Sequence, residues 1–344
     1  MRTLLRLAIQ SLRLAAALLR HALTGKNSPH ALQTMIALHT ASNGRTTAWL
    51  RARMGHRPLA AIDERSKGAA ASAVFPGMDS SIRSRVVEEV AAQGYCVSPY
   101  LLPAALRESI VRFANEAAGD EWNAGGPTSR RVRLRELAPD AAKLAFDSGE
   151  LIKLEAVQNL ICDAGLLAFL QQHFGRMPVF DTVGMWWSIA SAGPAASEIA
   201  QMFHYDLDRV RWLKLFVYLT DVTPETGPHV FVAGSHRPEQ FKASLLRRGY
   251  VRIPDADIEA AYGRQQVREI CGPAGTMLFA DTIGMHKGKI PRAANRLILE
   301  LQFSSSTFGT DYPPLPLPAA ATPALREAVA AYPLVYRQLV AARS

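Results

Sequence analysis

Residues 211–222, RWLKLFVYLTDV, form a short run rich in Trp, Leu, Phe, Val and Tyr that closes on the polar turn at Asp221. Such a run, bounded by turn residues, reads as a β-strand. Working outward, similar runs stand at PVFDTVGMWWSIA (178–190), QMFHYD (201–206), HVFVAG (229–234), GTMLFAD (275–281) and NRLILELQF (295–303). Short strands punctuated by Gly, Pro and Asp predict an all-β barrel or sandwich. Before it, apolar residues at helical spacing predict helices over 81–93, from Pro103 to about Ala118, and over 156–174, with the strand-like YCV (95–97) between the first two. Arg130 to Leu137 reads as a solvated basic edge, with substrate contact as the alternative. After the strands, the Pro-rich DYPPLPLPAAATP (311–323) leads into a terminal helix from Pro323 to about Ala342. The predicted organisation is an arm and linker over 1–75, a body over 76–310 with a helical cap (81–175) and β core (176–306), and a tail over 311–344.

A formal charge of +9 raises the question of nucleic acid, but the excess is local. Residues 1–62 hold Arg2, Arg6, Arg13, Arg20, Lys26, Arg45, Arg51, Arg53 and Arg57, and the first acid is Asp63. Removing these nine from 39 basic residues leaves 30 against 30 acids, so the body is neutral. A nucleic-acid groove needs clustered Lys and Arg, and that partner class is set aside. Cys96, Cys162 and Cys271 are odd in number and widely spaced, which fits small buried hydrophobes in a reducing compartment.

On a helix Arg2, Arg6, Arg13 and Arg20 form one narrow basic stripe on an otherwise apolar rod. The apolar run Leu14 to Leu19 is too short to span a bilayer. Three readings of residues 1–21 stay open: packing on the body, peripheral membrane contact, or an organellar presequence. The expected location is cytoplasmic, with membrane association as an alternative.

His204-Tyr205-Asp206 is the one His-x-Asp or His-x-Glu triplet among nine histidines. On a strand its two ends project to the same face, as two metal ligands must. A facial triad needs a second histidine from elsewhere in the fold, leaving adjacent positions open. His286 follows the turn at 272–275 and the strand TMLFAD, and precedes Arg296 by ten residues. An arginine there suits bidentate capture of a carboxylate.

In this order the residues resemble the phytanoyl-CoA dioxygenase family of iron(II) and 2-oxoglutarate oxygenases. The resemblance rests on HYD (204–206), LTDVTPETGP (219–228), GSH (234–236), GTMLFAD (275–281), His286 and Arg296, and more weakly on EEVAAQGYCVSPYLLPAALRESI (88–110). Ala233 stands where the family commonly has Pro, a departure confined to a turn. The resemblance implies a double-stranded β-helix (jelly-roll, cupin-like) core flanked by N-terminal and C-terminal helices. It implies His204, Asp206 and His286 as iron(II) ligands and Arg296 as the 2-oxoglutarate clamp, with Arg292 as rival for that role. Lys214, on the same strand side as Trp212, Phe216 and Tyr218, assists the co-substrate or faces outward. His236 is expected to be a loop hydrogen-bonder and His229 structural, while Trp186 and Trp187 are core or pocket wall. The implied reaction consumes 2-oxoglutarate and O2, releases succinate and CO2, and oxidises an unactivated C–H bond of a small-molecule or lipid-like substrate. Retention of Asp206 points to hydroxylation over halogenation, with desaturation and ring closure open. The competing readings are a non-catalytic or membrane-associated scaffold, and a cupin-like metalloenzyme that does not use 2-oxoglutarate.

Overall fold

Leu213, Leu215 and Val217 lie in one buried cluster while Phe216 and Tyr218 lie in another, so the run that opens the sequence reading is a strand buried on both faces. Alternation of side chains sorts it that way. The computed structural model describes residues 2–53, 74–76, 78–196 and 198–340; residues 54–73 of the expected arm and linker (1–75) lie outside them. Three helices come first, α1 (Arg2–Thr24), α2 (Ala31–Ala41) and α3 (Arg45–Arg53). Next are α4 (Ser80–Gln93), β1 (Tyr95–Leu101), α5 (Ala104–Glu116), β2 (Gly119–Asn123), β3 (Gly126–Val132) and β4 (Lys143–Phe146). Helices α6 (Ser148–Leu151), α7 (Glu155–Ile161) and α8 (Ala164–Phe174) lead to β5 (Val179–Ser188), β6 (Trp212–Tyr218) and β7 (His229–Val232). The chain continues through α9 (Ala243–Leu246), α10 (Asp255–Tyr262), β8 (Val267–Ile270), β9 (Thr276–Ala280), β10 (His286–Gly288) and β11 (Arg296–Ser304). It closes with β12 (Leu315–Pro316), α11 (Pro323–Ala331) and β13 (Leu339–Val340).

An eight-stranded sheet, in the order β1-β9-β6-β11-β5-β4-β2-β3, stands with a three-stranded sheet, β10-β7-β8, and the pairings are antiparallel in both. The result is the expected jelly-roll core with flanking helices. One face of the large sheet packs Val183, Met185, Trp187, Met277, Phe279, Leu297, Leu299 and Leu301 against Val86, Val90, Ile110, Leu160 and Phe169 of the helices. Its other face carries Trp186, Phe216, Tyr218, Leu278 and Ile298 and meets Phe231 and Ile270 of the small sheet. The two tryptophans therefore divide: Trp187 is helix-side core, its indole N–H donating to Ala114 O (3.2 Å), whereas Trp186 lines the barrel interior.

Helix limits follow local chemistry. Asp79 caps α4 by accepting from the backbone N–H of Ser81 and Ile82 (2.8 and 2.9 Å), and Gly94 ends it in the left-handed region at φ 87°. The helix expected over 156–174 divides into α7 and α8, because Asp163 accepts from Leu166 N–H (3.0 Å) and starts a new helix. The terminal helix stops at Ala331 instead of reaching Ala342, since Pro333 lacks a helical N–H and restricts Tyr332 before it. QMFHYD forms only isolated bridges, Phe203 to Ile253 and His204 to His286, in place of a regular strand. Conversely, β2, β3 and β4 extend the large sheet within a stretch expected to be helical. Arg130 and Arg131 sit on its edge strand β3, in the expected solvated position.

Candidate metal centre

His204 and His286 are joined through their backbones, each N–H donating to the other's carbonyl (2.9 and 2.8 Å). Two residues on, Asp206 N–H donates to Thr282 O (2.8 Å). These bonds fix three side chains at one end of the small sheet. Asp206 Oδ1 lies 3.8 Å from His204 Nε2, and its Oδ2 lies 3.6 Å from His286 Nε2. One donor atom from each of the three falls within 4.8 Å of the other two.

The tautomers follow from the partners. Nδ1 of His204 contacts Met202 O (3.0 Å) and Nδ1 of His286 contacts Gly284 O (2.9 Å). A carbonyl only accepts, so each Nδ1 carries the proton and each Nε2 presents a lone pair inward. Burial, reinforced by the neighbouring His286, holds His204 down at about 3, and burial lowers His286 as well, which keeps both rings neutral. Burial alone would push the Asp206 carboxyl up, but Lys214, His286 and His204 together hold it well below the usual carboxylate range. Two neutral imidazoles and one carboxylate are the donor set of a facial triad.

Lys214 is inside the barrel, its Nζ 3.0 Å from Asp206 Oδ2, 3.4 Å from Glu300 and 3.8 Å from Asp208. Burial lowers the Lys214 ammonium, yet the three carboxylates more than reverse this and hold it charged. Glu300 and Asp208 escaped the sequence reading. Glu300 was within reach of it, since it lies an even number of residues from Arg296 on the same strand.

Arg296 is buried, with Nη1 donating to Gly227 O and Nη2 to Ser188 Oγ (3.0 Å). Gly227 holds φ at 79°, and a Cβ there would come within 2.5 Å of Lys289 O, so glycine is required for the turn that delivers this carbonyl. Among the described residues no carboxylate pairs with Arg296, and its Nε is buried without a partner. Arg292 lies on an exposed loop and donates to Ser191 O and Gly193 O (2.8 Å for the latter). The structure thus separates the two arginines, and only Arg296 is interior.

Arg296 and Lys214 are also apart. Lys214 pairs in register with Gln302, six residues along β11 from Arg296, or about 20 Å. Arg296 instead approaches the metal end through β10, where a Cβ built on Gly288 would stand 3.4 Å from its Nη2. Gly288 is two strand residues from His286, a step of about 7 Å. Its register partner is His229, whose ring lies nearly parallel to His286 at 5.5 Å and whose Nε2 is buried without a partner. Burial and the surrounding His286 and Arg296 keep His229 well below its ordinary range. His236 lies elsewhere, bonding Ala91 O (3.1 Å), and acts as the loop hydrogen-bonder expected of it.

A jelly roll that gathers two histidines and an aspartate at the end of its small sheet defines a metal-centre class. Residues 91–291 match the model of the phytanoyl-CoA dioxygenase (PhyH) family, more than half of the 344-residue chain, and the chain belongs to that family. It is similar to the ectoine dioxygenase of Stutzerimonas stutzeri (strain A1501), 31% identical over 90 residues, 23% of this chain and 30% of the relative. The match thus spans under a third of that relative's length. Among solved structures it is similar to EctD from S. alaskensis with bound Fe (16% identity, TM-score 0.47, 73% of this chain and 90% of that one). It is likewise similar to HygX from Streptomyces hygroscopicus with nickel and 2-oxoglutarate bound (17%, TM-score 0.46, 70% and 93%).

Proposed function

We propose that the chain is an iron(II)- and 2-oxoglutarate-dependent oxygenase that hydroxylates an unactivated C–H bond of a small-molecule or lipid-like substrate. The observation that carries this is the inward His204–Asp206–His286 group with the buried guanidinium of Arg296, which has no counter-charge among the described residues and an unpartnered Nε, two strand residues beyond it. In that role the three side chains hold iron(II) through His204 Nε2, His286 Nε2 and an Asp206 oxygen. Bound there, iron with 2-oxoglutarate and O2 supplies the oxidising equivalents for C–H hydroxylation, with release of succinate and CO2.

The residues present fit that chemistry. Arg296 is pushed down to about 10 by burial and so stays charged at neutral pH, and Tyr218 lies beside it. A buried cation without a counter-charge is costly, and a dicarboxylate supplies the missing one. The orphaned Arg296 Nε and His229 Nε2 are two further polar atoms for the same ligand to satisfy. Lys214 holds the Asp206 oxygen that faces away from His204, so the carboxylate keeps its orientation. The apolar walls from Trp186, Phe216 and Ile298 exclude water. A scaffold, or a metalloenzyme without 2-oxoglutarate, leaves Arg296 without a counter-charge.

The test measures succinate formed from 2-oxoglutarate by protein loaded with iron(II) in the presence of O2, compared with Asp206→Ala. The wild type is expected to bind iron and turn over slowly even without substrate, and the variant to lose at least a hundredfold of that rate, in the range of removing one essential group. A wild type that neither binds iron nor forms succinate overturns the reading.

A further inference from the structure

Helix α1 has two apolar sides, and only one of them is used. Leu14 and Ala17 are buried, with Leu7 and Leu18 packed around them, in a cluster that joins Met35 and Leu38 of α2 to Phe203, Tyr205 and Trp212 of the body. His21 Nε2 meets Thr307 Oγ1 at 3.0 Å, and just beyond the helix Asn27 donates to Thr307 O (2.9 Å) and Asp311 Oδ1 (2.7 Å). The helix is therefore fastened to the body along that side. Away from it, Ile9, Leu12, Leu19 and Leu23 are exposed at 41, 72, 62 and 76%. With Ala16 they repeat at spacings of three and four residues, one continuous stripe about 21 Å long. Arg13 and Arg20 are exposed along one flank of the stripe, and neither has an ion-pair partner among the described residues.

The charge decides what covers this face. In a helix pair seamed by Ile9, Leu12, Ala16, Leu19 and Leu23, Arg13 and Arg20 take one flanking position and Ala15 and Ala22 the other. Antiparallel self-pairing then sets arginine against arginine, and parallel self-pairing sets arginine against alanine. The first 62 residues contain no acid to answer them. A layer of anionic lipid headgroups does answer them, while the stripe enters the acyl boundary. We infer that the outward face of α1 is a docking surface for an anionic membrane, holding the barrel at the bilayer surface. No helix among the described residues is long and apolar enough to cross the membrane, so the contact is peripheral.

The inference stands apart from the oxygenase reading and is tested without turnover. The full chain is floated with vesicles of phosphatidylcholine alone or mixed with phosphatidylglycerol, alongside sedimentation velocity of the protein by itself. Expected is binding to the anionic vesicles at least tenfold tighter than to the zwitterionic ones, weakening as salt rises. Arg13→Gln/Arg20→Gln is expected to weaken it about fivefold per arginine. Leu12→Gln/Leu19→Gln is expected to abolish it while all charges remain. Both pairs are solvent-exposed, and an unchanged far-UV spectrum verifies folding. Absence of wild-type binding at low salt overturns the inference, as does binding that neither pair alters. A dimer that Leu12→Gln/Leu19→Gln dissociates, with no vesicle binding, assigns the face to a second copy and overturns it too.

Discussion

At the scale of single residues, the site is organised by what each polar atom already touches. His204 and His286 spend their Nδ1 protons on backbone carbonyls, which leaves Nε2 committed inward. Arg296 and Arg292 stand four residues apart and meet opposite environments, one buried with an unpartnered Nε, one on an exposed loop. Arg296→Ala is accordingly expected to raise the KM for 2-oxoglutarate roughly thirtyfold or more, the cost of losing a buried charged partner, with iron affinity nearly unchanged. Arg292→Ala is expected to shift it less than about twofold, as a surface change does. Succinate formation measured against 2-oxoglutarate concentration checks both, and a larger effect from Arg292 would transfer the carboxylate role to it. The triplet at 204–206, His286 and Arg296 were legible in the sequence because their spacing and strand context are local signals. Of the partners of Lys214, Glu300 stood in reach through its even spacing from Arg296 on β11, whereas Asp208 lies in the irregular stretch before β6, where no periodicity marks it.

Elements were legible to the degree that burial is one-sided or complete. The long strands β5, β6 and β11 have helices on one face and the barrel interior on the other, so their sequences are nearly all apolar and easily found. Strands β2 and β3 escaped notice because they form the outer end of the large sheet, with β3 its edge, where GDEWN and GPTSRRV carry exposed polar residues. The N-terminal helices offer a prediction at this scale. His39 of α2 is buried between Tyr205 and Phe241, with Nδ1 3.0 Å from Thr47 Oγ1. Burial, helped by Arg51, holds it down at about 4. Its folded value lies below its unfolded one of about 6.5, so the unfolded chain binds more protons between the two. Its contribution is thus complete above pH 6.5 and is lost as pH falls toward 4, about 3 kcal/mol in all. Urea midpoints at pH 6.5 and 4.5 are expected to converge more closely for His39→Phe than for the wild type; equal falls in both would exclude the mechanism.

For the whole molecule, the N-terminal helices are part of the fold and not an appendage to it. Arg51 of α3 pairs with the buried Asp281, the acid that ends the GTMLFAD strand and precedes Thr282, whose carbonyl holds Asp206. Burial would raise Asp281, but Arg51 and His236 hold it below the ordinary range. Sequence reading located the basic charge in residues 1–62, yet could not assign its work, because Arg51 meets an acid 230 residues away. The reciprocal backbone bonds of His204 and His286 bear on the behaviour of the molecule in a changing supply of metal. They are made by the polypeptide alone, and the expectation that follows is a centre whose geometry comes from the fold and not from the ion. Stripping by a chelator is then expected to leave the near-UV spectrum intact and to lower the unfolding free energy only by the mass-action increment of the lost ligand, about 3 kcal/mol at a hundredfold excess over Kd. Collapse of the near-UV signal on chelation would show that the ion builds the centre. A centre preformed in this way would be refilled without refolding, and its loading with iron would then be reversible.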